Sequence, residues 1–246
     1  MILCVIPARG GSKGLPGKHI KPLLGKPVIG YTIEAAQKEE ILDHIVVSTE
    51  DTRISECARE FGVSVIKRPE EMARDTSGID VVLKHAVQTI EEKGDKVEIV
   101  VWLKANVPIR KPGEIASIVK KLIENDADSV LTIKKADLAV EFACKLNGSR
   151  LEQYSSAPRT FPNRQQYPQS YYHSGAIYAI RRSAIMKEKG KNDPSDYFMG
   201  RVKLGHITEG YQYSVEIDDE KDFLICELFM KRELESLERI RNAETC

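Results

Sequence analysis

Four glycines and four cations share the stretch RGGSKGLPGKHIK, where Gly10, Gly11, Gly14 and Gly17 alternate with Arg9, Lys13, Lys18 and Lys21. Glycines let backbone N–H groups come close to a bound anion, and the cations neutralise its charge, which is the chemistry of a triphosphate site. A second chemical element stands near the other end of the chain. Along Val215-Glu216-Ile217-Asp218, apolar and acidic residues alternate, which puts Glu216 and Asp218 on the same side of an extended strand. Two neighbouring carboxylates raise each other's proton affinity and suit a bound divalent cation. Helix capping is the plain alternative there, and it accounts for Asp219 but not for the pairing of Glu216 with Asp218.

Two better-known phosphate loops do not fit the first element. A Walker A motif needs a glycine at the position Ser12 holds and Ser or Thr where this chain has His19. The dinucleotide fingerprint fails at position 12 as well, since its first glycine is absent.

These groups need elements to hold them. Residues 2–6 are an apolar run of the kind buried on both faces of a parallel sheet, and Pro7 stops it. Helical spacing follows over 28–38, then a strand at 45–47, a polar cluster at 48–51 that can cap a helix over 52–61, and a strand at 63–66. A polar stretch, 68–77, leads to a helix beginning near Ile79, with Thr76 or Ser77 as its N-cap. A strand at 99–103, a helix over 112–124 with Pro112 in its first turn, and a strand at 129–133 continue the alternation. The order predicts an α/β domain with a doubly wound, mostly parallel sheet. From residue 134 to 172 the pattern breaks. Strand-like pieces at 141–146 and 151–154 flank the hairpin turn Asn147-Gly148, and a loop rich in Pro, Gln and Arg follows. A helix over 182–188, a strand at 202–207 and a last helix over 220–241 complete the chain. The expected organisation is one domain, 1–133 and 173–246, interrupted by an insert at 134–172.

Composition bounds the function. The 246 residues carry 37 basic and 37 acidic side chains, so the charge balance points away from nucleic acid and anionic membranes as partners. Five scattered cysteines with no C-x-x-C pair fit reduced thiols, and no apolar run is long enough for a membrane span, so the expected location is cytoplasmic.

The stretch IPARGGSKGLPGKHIKPLLGKPVIGYTIEAA resembles the N-terminal signature of the acylneuraminate cytidylyltransferases, also called CMP-sialic acid synthetases, which are close relatives of the CMP-Kdo synthetases. Later blocks match at corresponding spacing: RPEEMARDTS, ANVPIR, RQQYP and SGAIY. The resemblance implies the Rossmann-like nucleotide-diphospho-sugar transferase fold, with the insert serving as a β dimerisation arm, and hence a homodimer. It implies activation of an acidic keto sugar by CTP, forming a CMP-sugar and pyrophosphate with Mg²⁺ as cofactor. The nucleotide would be held by Ala8, Arg9, Gly10, Gly11, Ser12, Lys13, Lys18, His19, Arg68, Asp75, Thr76 and Ser77. The sugar would meet Lys104, Arg164, Gln165 and Ser174, with Arg164 on its carboxylate. Arg9, Lys18 and Asp218 would carry catalysis, and Glu216 and Asp218 the metal. Four positions depart from the relatives: His19 and Ser174 stand where they have asparagine, Lys104 where they have glutamine, and Glu216 where they have aspartate. The acceptor therefore stays open among sialic, pseudaminic, legionaminic and Kdo-like acids, and the base stays open with it. Two rivals share the glycine loop, a nucleotidyltransferase acting on a sugar 1-phosphate and a catalytically silent nucleotide-binding homologue.

Overall fold

The computed structural model describes residues 1–74, 76–154, 162–190, 192–194 and 196–244, with side chains at all of these except 164 and 237–244. In chain order the strands and α-helices are β1 (Ile2–Pro7), β2 (Pro22–Leu23), β3 (Lys26–Pro27), α1 (Val28–Gln37), β4 (His44–Thr49), α2 (Thr52–Glu60), β5 (Ser64–Lys67), α3 (Ile79–Glu91), β6 (Ile99–Leu103), α4 (Glu114–Glu124), β7 (Ser129–Lys135), β8 (Cys144–Asn147), β9 (Arg150–Gln153), β10 (Tyr171–Arg181), α5 (Arg182–Ile185), β11 (Lys203–Ile207) and α6 (Glu220–Glu244).

The main sheet has seven strands in the order β11-β7-β10-β6-β1-β4-β5. All pairs are parallel except those of β10, which runs antiparallel to both β6 and β7. Alternation along β1 explains the layers. Cys4 and Ile6 pack into one core with Ile29 and Ile33 of α1, Ile54 and Ala58 of α2, and Ile118 and Leu122 of α4. Leu3 and Val5 face the other core, with Leu83, Val87 and Ile90 of α3 and Ile185 of α5. A parallel strand with helices on both sides must be apolar at every position, and β1 is. The expected doubly wound α/β architecture is therefore the fold of this protein.

Several local expectations need correcting. Gly113, at φ +73°, caps α4, so Pro112 lies outside the helix because a left-handed residue interrupts it. The N-cap of α3 is Gly78 with no side-chain bond, while Ser77 Oγ donates to the Glu71 carbonyl at 2.6 Å. Residues 140–142 form a 3₁₀ turn ahead of β8, and the helix expected over 182–188 stops at Ile185. Residues 215–218 alternate as expected, with Val215 and Ile217 buried, yet they form no ladder. Both neighbours of β6 are already taken by β1 and β10, so instead of a ladder the segment is held by Asn106, whose carbonyl accepts from the Ile217 N–H at 2.8 Å and whose Nδ2 donates to the Ile217 carbonyl at 3.2 Å.

A third apolar cluster positions the site. Leu15 and Leu23 from the glycine loop and its exit pack with Val28, Val215, Ile217, Phe223 and Cys226. Burial of these side chains fastens the N-terminal loop to the segment carrying Glu216 and Asp218. At the start of α6, Asp219 Oδ1 accepts from the Asp222 N–H, and Asp222 Oδ2 accepts from the N–H groups of Asp218 and Asp219. This reciprocal cap satisfies donors that the helix leaves open.

Candidate active site

The carboxyl ends of β1, β4, β5 and β6 meet at one edge of the sheet, and a two-part cleft opens above them. The inner part, about 240 Å³, is lined by Arg9, Lys18, His19, Arg68 and Ser77 together with the apolar Met72, Ile79 and Val82. The outer part, about 470 Å³, is lined by Arg9, Gly11, Ser12, Lys13, Ala73 and Arg74. Arg9, Ala73 and Arg74 belong to both walls, so the two parts join. A flat, half-apolar ligand end suits the inner chamber, and a polyanion suits the outer one.

Glu50 ties this half together. Its Oε1 accepts from the Gly10 N–H at 2.7 Å and its Oε2 from Arg68 Nε at 2.9 Å. The Gly10 amide is thus engaged by the Glu50 carboxylate. Arg68 has only 4% of its side chain exposed, so the pair is nearly dry on the arginine side. His19 is buried, its Nδ1 has no hydrogen-bond partner among the described residues, and its pKa falls to about 3. Burial is the main cause, followed by the positive charges of Lys18, Arg68 and Arg9. The imidazole is therefore neutral at any working pH.

At the junction with the other half, Lys18 Nζ donates to Asp218 Oδ1 at 2.7 Å, and Asn106 Nδ2 donates to the same oxygen at 3.1 Å. Gly14 passes so near that a Cβ there would lie 2.4 Å from the Asp218 carbonyl oxygen, which only glycine permits. Beyond the junction, Lys104 Nζ donates to both carboxylate oxygens of Glu216 at 2.7 and 2.9 Å. Beside them Ser174 Oγ is buried without a partner among the described residues, and Tyr178 stacks on Trp102 with ring centroids 4.1 Å apart. Burial, with the charge of Glu216 second, raises the Tyr178 phenol to about 12.

The fold thus brings together Arg9, Gly11, Ser12, Lys13, Lys18, His19, Arg68 and Ser77 in one cleft, with Lys104, Ser174, Glu216 and Asp218 on its far side. Ala8 is buried at the end of β1, with its N–H on the Ser48 carbonyl. Thr76 is exposed and does not line the inner chamber. Asp75 and the Arg164 side chain lie outside the described residues. Gln165 faces a separate cavity with Ala136, Tyr167 and Pro168. Glu50 and Asn106 are the additions. Glu50 sits in a cluster that reads as a helix cap, a role that Asp51 fills.

Mg²⁺ takes hard oxygen ligands, commonly one or two carboxylates completed by water and substrate phosphates. Among the described residues no group of three or more His, Cys, Asp or Glu side chains converges. Asp218 fits a phosphate-completed site. Its side chain is 66% exposed, and among the described residues only its Oδ1 is engaged.

A cation-lined cleft at the carboxyl ends of such a sheet, facing a carboxylate already held by the loop lysine, is the architecture of a nucleotidyltransferase. The chain belongs to the cytidylyltransferase family, whose profile matches residues 3–243. It is 29% identical over 188 residues to the pseudaminic acid cytidylyltransferase of Campylobacter jejuni subsp. jejuni serotype O:2, covering 76% of this chain and 81% of that one. To the N-acylneuraminate cytidylyltransferase of Escherichia coli O18:K1:H7 it is 28% identical over 224 residues, which is 90% of this chain but 50% of the relative. It superposes on the solved CMP:2-keto-3-deoxy-manno-octonic acid synthetase complexed with CTP at a TM-score of 0.69 and 19% identity, covering 94% of this chain and 99% of that one. That likeness shows a shared fold. Among the described residues, no helix is long and apolar enough to cross a membrane.

Proposed function

We propose that this protein transfers the cytidylyl group of CTP to an acidic keto sugar of the nonulosonic class, giving a CMP-sugar and pyrophosphate. The observation that carries the reading is the two-part cleft with Lys18 and Asp218 at its junction. The nucleoside enters the inner chamber, against Met72, Ile79 and Val82, with Arg68 and Ser77 as polar contacts. The triphosphate lies over Gly11, Ser12 and Lys13 in the outer chamber. This places the α-phosphorus at the junction, where Lys18 faces the charge that develops on the reacting phosphate and the leaving pyrophosphate. The anomeric hydroxyl of the sugar attacks from the Lys104 side, the new P–O bond forms and the bond to pyrophosphate breaks. Positioning and electrostatics supply most of the catalysis in such transfers, so no nucleophilic side chain is needed. Mg²⁺ held by Asp218 and phosphate oxygens would neutralise charge and ease loss of the hydroxyl proton.

The same reading includes a homodimer in the cytoplasm. The hairpin β8–β9 exposes every residue of both strands, and Leu138, Val140, Leu146 and Leu151 are at least half exposed around it. Such edges and apolar side chains favour a second copy as cover, where Arg164 and Gln165 would reach the partner's sugar. Sedimentation at micromolar concentration should show a dimer, and a monomer would remove the arm. The defining assay offers a panel of acidic sugars and sugar 1-phosphates with each nucleoside triphosphate and records pyrophosphate release. Release with CTP and a nonulosonic acid supports the reading. Release only with a sugar 1-phosphate, or none despite nucleotide binding, selects one of the two rivals.

A further inference from the structure

Glu216 and Asp218 stand two positions apart, but the folded chain treats them differently. Lys104 Nζ lies on both oxygens of Glu216, with the two side chains only 28% and 27% exposed. Gly175, at φ +71°, runs beneath the contact, and a Cβ there would sit 2.4 Å from Glu216 Oε1 and 2.5 Å from Lys104 Nζ. The root of Lys104 is fixed as well. Its carbonyl accepts from Arg110 Nη2 at 2.7 Å, and that buried guanidinium also donates to the Val107 carbonyl and to Thr32 Oγ1. Asp218, by contrast, offers a 66% exposed carboxylate bonded, among the described residues, through one oxygen.

We propose that Lys104 withholds Glu216 from the divalent cation, so that Asp218 is the one carboxylate the protein supplies and Mg²⁺ enters with the nucleotide phosphates. For Glu216 to join the ion, it would have to give up two hydrogen bonds to an ammonium group. That ammonium, rooted by Arg110, would then stand beside a dication with no counter-charge. One carboxylate alone holds a strongly hydrated ion weakly, and phosphate oxygens complete the shell. The part concerning phosphates rests on the CTP reading above, while the withholding of Glu216 does not.

Mn²⁺ is the probe, titrated into the full chain and followed by the electron paramagnetic resonance signal of the free ion, first without nucleotide and then with CTP. Wild-type protein should show no saturable site until CTP is added. Without nucleotide, Lys104→Met should create a site about tenfold tighter than any in wild type, because two carboxylates then face one ion, and adding Glu216→Gln should abolish it. With CTP present, Asp218→Asn should weaken Mn²⁺ by about tenfold and Glu216→Gln by less than about twofold. A tight nucleotide-free site in wild type overturns the proposal. So does a Glu216→Gln loss equal to that of Asp218→Asn, or a folded Lys104→Met with no new site. If the nucleotide-free results hold but CTP raises Mn²⁺ affinity in none of the proteins, the withholding of Glu216 is supported and the CTP reading alone fails.

Discussion

The two halves of the cleft handle charge in different ways. Among the described residues lining the inner and outer chambers, Arg9, Lys13, Lys18, Arg68 and Arg74 are cationic and none is acidic. Across the junction, Lys104 and Glu216 neutralise each other. A cationic lining, with Lys18 and Arg68 matched by Asp218 and Glu50, suits the side proposed to meet the triphosphate, whose negative charges must be matched inside a partly desolvated cleft. A balanced pair suits the side proposed to receive a neutral hydroxyl, which must stay nucleophilic. The carboxylate that strengthens the first half, Glu50, stands behind the wall and acts through Arg68 and Gly10.

The strongest way to break this contrast is at the junction. Lys18→Met should lower kcat/KM by about a hundredfold or more, near 3 kcal/mol of transition-state stabilisation, while thermal stability stays within about 1 kcal/mol. Steady-state kinetics beside a melting curve check this, and unchanged turnover would take the loop out of the chemistry. Gly175→Ala attacks the balanced half. The new methyl meets both members of the Lys104–Glu216 pair at a left-handed backbone position, so a loss of about 2 kcal/mol, or roughly 4–8 °C in Tm, is expected. The KM for the sugar should suffer more than that for CTP.

Glu50→Gln sharpens the other half. It keeps an acceptor for the Gly10 amide but removes the charge opposite buried Arg68, and should raise the KM for CTP about tenfold with the sugar KM nearly constant. Equal rises in both constants would show that the halves are not separable. The smallest effect concerns acid. An unfolded His19 titrates near 6.5 and the folded one near 3, so the unfolded state takes up the proton first as the pH falls below 6.5. The neutral imidazole's contribution is complete above that value and is lost progressively below it, by about 1 kcal/mol between pH 8 and pH 6. Urea unfolding at the two pH values should show that loss in wild type and its absence in His19→Gln.

The halves also differ in how far the sequence reveals them. The glycine loop is contiguous and its chemistry follows from residue types at short range, but the contact of Lys18 with Asp218, 200 residues away, does not. The two helix layers and the mostly parallel sheet follow from apolar runs alternating with amphipathic ones, whereas the strand order and the antiparallel β10 are set by pairing between distant segments. The contact of Lys104 with Glu216 spans 112 residues and depends on the bend at Gly175, so nothing local announces it. Asn106 is similar, an ordinary loop asparagine until the fold sets Asp218 beside it. Glu50 was hidden by company, since Ser48-Thr49-Glu50-Asp51 reads as one capping cluster and the residues divide the work between them. Alternation at 215–218 reads as a strand because the sequence cannot show that β6 has no free edge.

The apolar cluster joining Leu15 to Val215, Ile217 and Phe223 has a consequence for the order of events during synthesis. Lys18 and Asp218 are 200 residues apart along the chain. At about 5–20 residues per second, a ribosome needs roughly 10–40 s to get from one to the other. Within that interval, once residue 67 has been made, β1, β4 and β5 can pair through short connections, yet the loop after β1 still lacks Val215, Ile217 and Phe223 beneath Leu15 and Asp218 for its lysine. Closing so long a span gains nothing until the sheet has already brought the ends near each other. The junction of Lys18 with Asp218 therefore forms late, only after the segment around Asp218 has been made.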